Sequence, residues 1–303
     1  MDLSSSAVLL GQPAVEGGAR ERLGPSHPAR SPVHGQPRCP WNNFSGFIPK
    51  RAWREVTAID AQVGSASRCP GHTGIIVTER TDPFSTPQAV AHYAEGPPRN
   101  VPGYHGLLTM TTLLLNEHAP KDARVLVLGA GGGLELRAFA QAHPGWTFDG
   151  VDPAHEMLRL AEQTLGPLAP RARLHHGYIQ DAPAGPFDAA TCLLTLHFVT
   201  PEERRRTVAE VRRRLKPGVP FVVAHFSFPQ GEGERDLWLS RYAAFMAASG
   251  VGPHKAANAR AAVDARLHIL TPEEDEALLR EAGFSGISLF YAGFTFRGWV
   301  AYA

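Results

Sequence analysis

From about residue 105 to the C-terminus, short apolar runs alternate with longer segments whose apolar positions recur at helical spacing. That alternation is the pattern of a parallel sheet covered by helices on both faces. Val125-Leu126-Val127-Leu128 is apolar at every position, as a strand buried on both faces requires. The runs predict strands at 124–129, 147–151, 172–176, 187–194 and 219–226, with helices between them. The helix after the fourth strand opens on the capping box Thr200-Pro201-Glu202-Glu203, with Pro201 in its first turn, and stops before Lys216-Pro217-Gly218. A second box, Thr271-Pro272-Glu273-Glu274, opens a helix that ends at Ala282-Gly283. Two last strands, about 286–291 and 294–302, are joined too tightly for a crossover helix and must pair as an antiparallel hairpin. The fold class that follows is α/β: a doubly wound, mostly parallel seven-stranded sheet with an antiparallel C-terminal hairpin strand.

Two stretches fall outside that pattern. Residues 227–270 are an insertion, with one helix predicted over 234–248 and a second over about 254–267. An insertion after a strand's carboxyl end, where open α/β sheets bind ligands, is read either as a substrate lid or as a homodimer interface. Residues 1–82 form an N-terminal extension before the domain at 83–303. Its first 40 residues have no aromatic side chain and are rich in Pro, Gly, Ser and Ala, so disorder is expected there.

Composition narrows the function classes. With 303 residues and 43% hydrophobic content, the chain has room for one large domain and an extension. A formal net charge of +1 gives no global attraction to nucleic acid or anionic lipid. The runs Arg204-Arg205-Arg206 and Arg212-Arg213-Arg214 share a helix with Glu202, Glu203 and Glu210, and read as a solvated face. A nucleic-acid partner is therefore not expected. Cys39, Cys69 and Cys192 are too few and too far apart for a zinc site or a disulfide framework, which suits a reducing, cytoplasmic setting. No apolar run is long enough to span a membrane. His175 and His176, adjacent on a strand, point to opposite faces, so no metal site is expected.

The chemistry concentrates behind the first strand. Gly129, Gly131 and Gly133 let the chain turn sharply and bring backbone N–H groups against a ligand before a helix begins. Asp152, at the end of the next strand, stands where a carboxylate can accept hydrogen bonds from both ribose hydroxyls of a nucleoside. A dinucleotide fingerprint would need its third glycine at position 134, which is Leu134, so a pyrophosphate cradle is disfavoured. Gly-x-Gly-x-Gly followed by an acidic residue instead resembles the class I S-adenosylmethionine (SAM) methyltransferases, whose first loop holds the methionine end of the cofactor. The C-terminal hairpin strand matches their Rossmann-like arrangement.

Upstream, Arg99-Asn100-Val101-Pro102-Gly103-Tyr104 narrows the likeness. Taken with the loop, it resembles the carboxy-SAM synthase family, homodimeric enzymes that turn SAM and prephenate into carboxy-SAM for modifying a tRNA wobble uridine. The likeness covers about residues 88–303. It implies cofactor contacts at Tyr104, Gly129, Ala130 and Gly131, with ribose at Asp152 and Pro153 and adenine at Tyr178 and Ile179. It also implies that Arg260 holds the added carboxylate of the product. Three positions depart from the family. Val127 replaces an acidic residue two places before the first glycine, so the cofactor's ammonium needs another carboxylate, for which Glu135 is the candidate. Tyr178 replaces an aspartate at the adenine edge, leaving stacking and backbone groups to hold the base. Leu193 replaces an asparagine after the fourth strand, which weakens the case for carboxy-SAM.

Methyl transfer is an in-line displacement, and the enzyme's main task is alignment. His197, just past the fourth strand, is the candidate general base, set against a plain packing histidine; His225 is a weaker one. Arg260 would suit an anionic substrate by a bidentate contact, set against an exposed helix arginine. The leading expectation is a SAM-dependent methyltransferase acting on a small molecule, an anionic one if Arg260 takes part. A carboxy-SAM synthase and a SAM-binding regulator without catalysis are the alternatives.

Overall fold

The computed structural model describes Val90 and residues 92–303 of the chain; the extension to residue 82 and its expected disorder lie outside the described residues. Helix α1 (Gly96–Asn100) turns through Gly103, at φ 68°, into α2 (Tyr104–Asn116). The sheet then begins with β1 (Arg124–Leu128), α3 (Leu134–Ala142), β2 (Thr147–Asp152), α4 (His155–Leu165) and β3 (Ala172–His176). It continues through β4 (Ala189–Leu193), α5 (Pro201–Arg214) and β5 (Pro220–Phe226). The insertion supplies α6 (Glu234–Ala248) and α7 (Pro253–Arg266), and α8 (Pro272–Glu281), β6 (Ser285–Gly293) and β7 (Phe296–Tyr302) close the chain.

The strand order is β3-β2-β1-β4-β5-β7-β6, parallel through the first five and antiparallel where β7 joins β5 and β6. From β1 the chain builds outward in one direction to β3, then returns to add β4 and β5 on the other side. The loops after β1 and β4 therefore diverge, and a crevice opens between them at the strands' carboxyl ends. Both faces of the central strands are buried. Val125, Val127 and Val222 pack toward Leu107 and Phe139, while Leu126, Val223 and Trp299 pack toward Val208 and Leu278.

Element boundaries follow local chemistry. Thr200 and Thr271 each accept from the backbone N–H three residues on, and Glu203 and Glu274 reciprocate, so both capping boxes form. Strand β4 is shorter than the apolar run suggests. Phe187 bridges to Leu215 instead of joining the β1 ladder, and Leu194, at φ 58°, cannot continue an extended strand.

The expected solvated arginine face needs correction at two positions. Arg205, Arg206 and Arg213 are exposed and paired with Glu281, Glu202 and Glu210, but Arg204 and Arg214 are buried. Arg204 is fully enclosed; its Nη1 donates to Asp275 Oδ1 at 2.8 Å and its Nη2 to the His268 carbonyl. His225 Nε2 lies 3.0 Å from the same Asp275 oxygen. A run of like charges on a helix winds around its axis, and the member facing the sheet must find a buried partner.

In the insertion, α6 and α7 are joined by two ion pairs, Arg235–Asp264 at 2.6 Å and Arg260–Asp236 at 2.9 Å. Tyr242 of α6 packs on Phe226 and Phe296. No helix among the described residues is long and apolar enough to cross a membrane.

Candidate functional site

The glycine loop takes its shape from what presses on it. Gly129 sits at φ 75°, and a Cβ there would lie 2.0 Å from Thr195 Oγ1 on the β4 loop. Gly133, at φ 78°, lets α3 approach α4 so closely that a Cβ would lie 2.8 Å from the Ala161 Cα. Gly131 adopts φ 47°. A side chain at any of these positions would be strained.

Where the loop's N–H groups go differs from the expectation. Those of Gly129 and Ala130 both donate to the Val151 carbonyl, at 2.8 and 3.0 Å, and that of Gly133 donates to the Ala130 carbonyl at 3.0 Å. The Gly131 N–H donates to Asp152 Oδ2 at 2.9 Å. Four donors thus turn inward, and the loop contributes room and backbone shape more than it contributes hydrogen bonds to an anion. The other Asp152 oxygen accepts from the Ala154 N–H at 2.9 Å. The carboxylate is therefore oriented by the fold itself, with Asp152 nearly buried.

Against this loop lies a cavity of about 310 Å³. It follows the sheet order, from Tyr178 and Ile179 after β3, past Asp152 and Pro153 after β2, to Gly129, Ala130 and Gly131 after β1. Tyr104 and Glu135 also line it. Gly133 does not; it is the left-handed cap from which α3 starts. The structure adds residues that sequence reasoning missed. Tyr93 lies over the loop, its ring 2.7 Å from where a Gly132 Cβ would stand. Leu194, Thr195 and Phe198 form the wall beyond β4. An aromatic ahead of Gly96-Pro97-Pro98 is the sequence signal that could have marked Tyr93.

Glu135 dominates the electrostatics. Its carboxyl is buried in the first turn of α3, and Oε1 accepts from Thr191 Oγ1 at 3.1 Å. Burial pushes it up to about 8, the Thr191 hydrogen bond opposes this, and the charge of Asp152 adds to it. Among the described residues, no lysine, arginine or histidine lines the cavity. Burial first, and Glu135 second, also raise the phenols of Tyr93 and Tyr104 above the usual tyrosine range.

His197 and Arg260, the two residues expected to work on the substrate, are not brought to this cavity. His197 is buried behind its wall, edge-on to Phe226, with Nδ1 accepting from the Phe226 N–H at 3.4 Å. Burial above all, then His225 and Arg204, hold its imidazole well below the usual histidine range. It is a neutral packing group here, because the turn after β4 buries it together with Leu196 and leaves only Phe198 exposed. Arg260 sits on α7, committed to Asp236. No residue of 227–270 lines the cavity, so the insertion does not cover it as a lid in this structure.

A methyltransferase-domain family model matches residues 125–218. The chain is 30% identical over 211 residues to the carboxy-S-adenosyl-L-methionine synthase of Chromohalobacter salexigens, which spans 67% of this chain and 77% of that protein. It is 25% identical over 217 residues to the enzyme of the same name from Actinobacillus succinogenes, spanning 67% and 86%. Among solved structures, human N-acetylserotonin methyltransferase in complex with SAM matches with a TM-score of 0.53 at 17% identity, over 73% of this chain and 57% of that one. An O-methyltransferase family 2 protein from Planctomyces limnophilus matches with a TM-score of 0.52 at 16% identity, over 74% and 63%. At such identities these structures show a shared fold.

Proposed function

Because this chain belongs to the class I SAM-dependent methyltransferases, we propose that it methylates a small molecule, with the cavity at the glycine loop as its cofactor site. The observation that carries the reading is Glu135, a buried carboxyl with no cationic side chain beside it among the described lining residues. A buried carboxylate is costly unless paired. SAM brings an ammonium, and Glu135 supplies the charge that Val127 cannot provide at the position usual for this family. Asp152, held by two backbone donors, is aimed for the ribose hydroxyls. Tyr178 and Ile179 flank the adenine end, and Tyr104 closes the methionine end. When bound, SAM supplies the electrophilic methyl; the chain's own residues orient it and exclude water. With His197 behind the wall, alignment rather than a histidine base carries the acceleration.

A second reading, carboxy-SAM synthesis from SAM and prephenate, is favoured by the names and 30% identity of the relatives. Arg260, engaged with Asp236, does not support it.

Mass spectrometry of the nucleoside extracted from purified protein is expected to find SAM or S-adenosylhomocysteine. By calorimetry, Asp152→Ala should weaken SAM binding by about 2–4 kcal/mol, two charge-assisted hydrogen bonds with incomplete additivity. Unchanged affinity in a folded variant would remove Asp152 from the site. Bound nicotinamide or flavin would remove the whole reading.

A further inference from the structure

No residue of the insertion lines the cavity, but a shorter stretch ahead of the sheet does. Residues 92–100 run through one turn of 3-10 helix (Tyr93–Glu95) into α1, and neither helix holds a fully buried residue. The stretch is tied down at its ends. At one, Tyr93 packs with Leu160 on a small cluster of Val90, Ala154 and Met157, separate from the two main cores. At the other, Val101 enters the core and the Tyr291 hydroxyl donates to the Pro102 carbonyl. The Tyr93 ring also lies on the glycine loop. Among the loop's glycines, Gly132 alone has no left-handed φ, so its backbone does not call for glycine. Its neighbours do: a Cβ there would stand 2.7 Å from Tyr93 Cδ1 and 3.0 Å from Leu160 Cδ2. One on Gly131 would stand 3.3 Å from the Tyr93 hydroxyl oxygen.

We propose that residues 92–100 are a strap that covers the cofactor, with Tyr93 as its contact, and that SAM enters and leaves when the strap lifts from the glycine loop. The inference rests on the proposed SAM site. A stretch with few buried contacts opens locally at much lower cost than the sheet unfolds. Lifting it breaks the Tyr93 packing, while Glu135, Asp152 and the glycines stay in place on α3, β2 and the loop between β1 and α3. A cofactor in the cavity touches Tyr93 only when the strap is down, so it holds the strap closed. Gly132 keeps the space in which the ring settles, which gives this glycine a role that backbone geometry does not. The cofactor is then enclosed by chain that precedes the sheet, and the insertion lies outside its cover.

Hydrogen exchange of the full chain with and without SAM tests the strap without any variant. Saturating SAM is expected to slow exchange across 92–101 by at least about threefold, and to slow the insertion helices less. No slowing at 92–101, or greater slowing in α6 and α7, overturns the inference. Displacement of radiolabelled SAM tests the contact: Tyr93→Ala should speed dissociation by at least about tenfold, through loss of the ring's contact with the cofactor. Gly132→Ala, which props the strap up, should speed it too, but by less than about twofold in a Tyr93→Ala background, because the two act through one contact. Dissociation from Tyr93→Ala at the wild-type rate, or a full Gly132→Ala effect in the absence of the Tyr93 ring, overturns the inference as well. If the wild type binds no SAM, the SAM site itself is refuted, and the inference falls with it.

Discussion

Glu135 shows how much one buried side chain decides. In the ligand-free protein its carboxyl keeps its proton to about pH 8, whereas an unfolded glutamate releases it near 4.5. Between those values the folded state binds one more proton than the unfolded state, so stability falls as pH rises through that window, by at most about 1.4 kcal/mol per pH unit. Relative to Glu135→Gln, the ligand-free wild type should therefore lose melting temperature progressively between about pH 5 and 8. Scanning calorimetry across that range checks it, and parallel curves for the two proteins would mean the carboxyl is already ionised by a partner. SAM should restore the loss, since an ammonium stabilises the ionised form. The candidacy of Glu135 was legible from Val127, but its burial, and the lack of a cationic side chain beside it among the described lining residues, were not: both depend on α3 turning that side chain toward β4 and Thr191.

Among the elements, the helices that start on capping boxes were the most legible, because the contacts that make them lie within four residues. Thr200→Ala should destabilise the protein by about 1 kcal/mol, the usual worth of such a cap, and a urea midpoint measurement would show it. The glycine loop is a different case. Gly129→Ala must resolve a 2.0 Å approach to Thr195 and a left-handed backbone together, so a loss of about 2 kcal/mol or more is expected, with SAM affinity falling as the loop shifts. A double variant, Gly129→Ala with Thr195→Gly, should recover part of the stability and separates the clash from the backbone strain. The glycines were visible in the sequence, but the neighbour that demands one of them stands on another strand's loop.

Across the whole molecule, the junction of Arg204, Asp275 and His225 ties α5, α8 and β5 to the end of the insertion, through the His268 carbonyl. Burial pushes the Asp275 carboxyl up, but its contacts with His225, Arg204 and Ser227 outweigh it and hold the group below the usual aspartate range. Its contribution is thus fully present above about pH 4 and is lost as pH falls through the depressed value, the opposite sign to Glu135. Arg204→Met takes the guanidinium from buried Asp275 and leaves it only its weaker contacts, His225 among them, with an expected cost of about 3–5 kcal/mol in chemical denaturation. Exposed Arg206→Met, on the same helix, should change stability by less than about 1 kcal/mol. A cost for Arg204→Met as small as that would show that the junction does not hold the insertion in place.

What the sequence determined by itself is the part of this protein written in short range and in period: strand and helix order, the caps, the antiparallel hairpin, and the glycine turn at 129–133 with Asp152 at the end of β2, the proposed adenosine site. Each depends on neighbours in the chain or on which face an apolar run must bury. Tertiary structure alone decided which polar groups look into the cavity. It turned His197 into the packing behind the wall, took Arg260 to Asp236, enclosed Arg204, and spent the N–H groups of Gly129, Ala130, Gly131 and Gly133 internally. A side chain's partner across the fold is set by how helices and loops from distant parts of the chain converge, and hydrophobic periodicity does not encode that convergence.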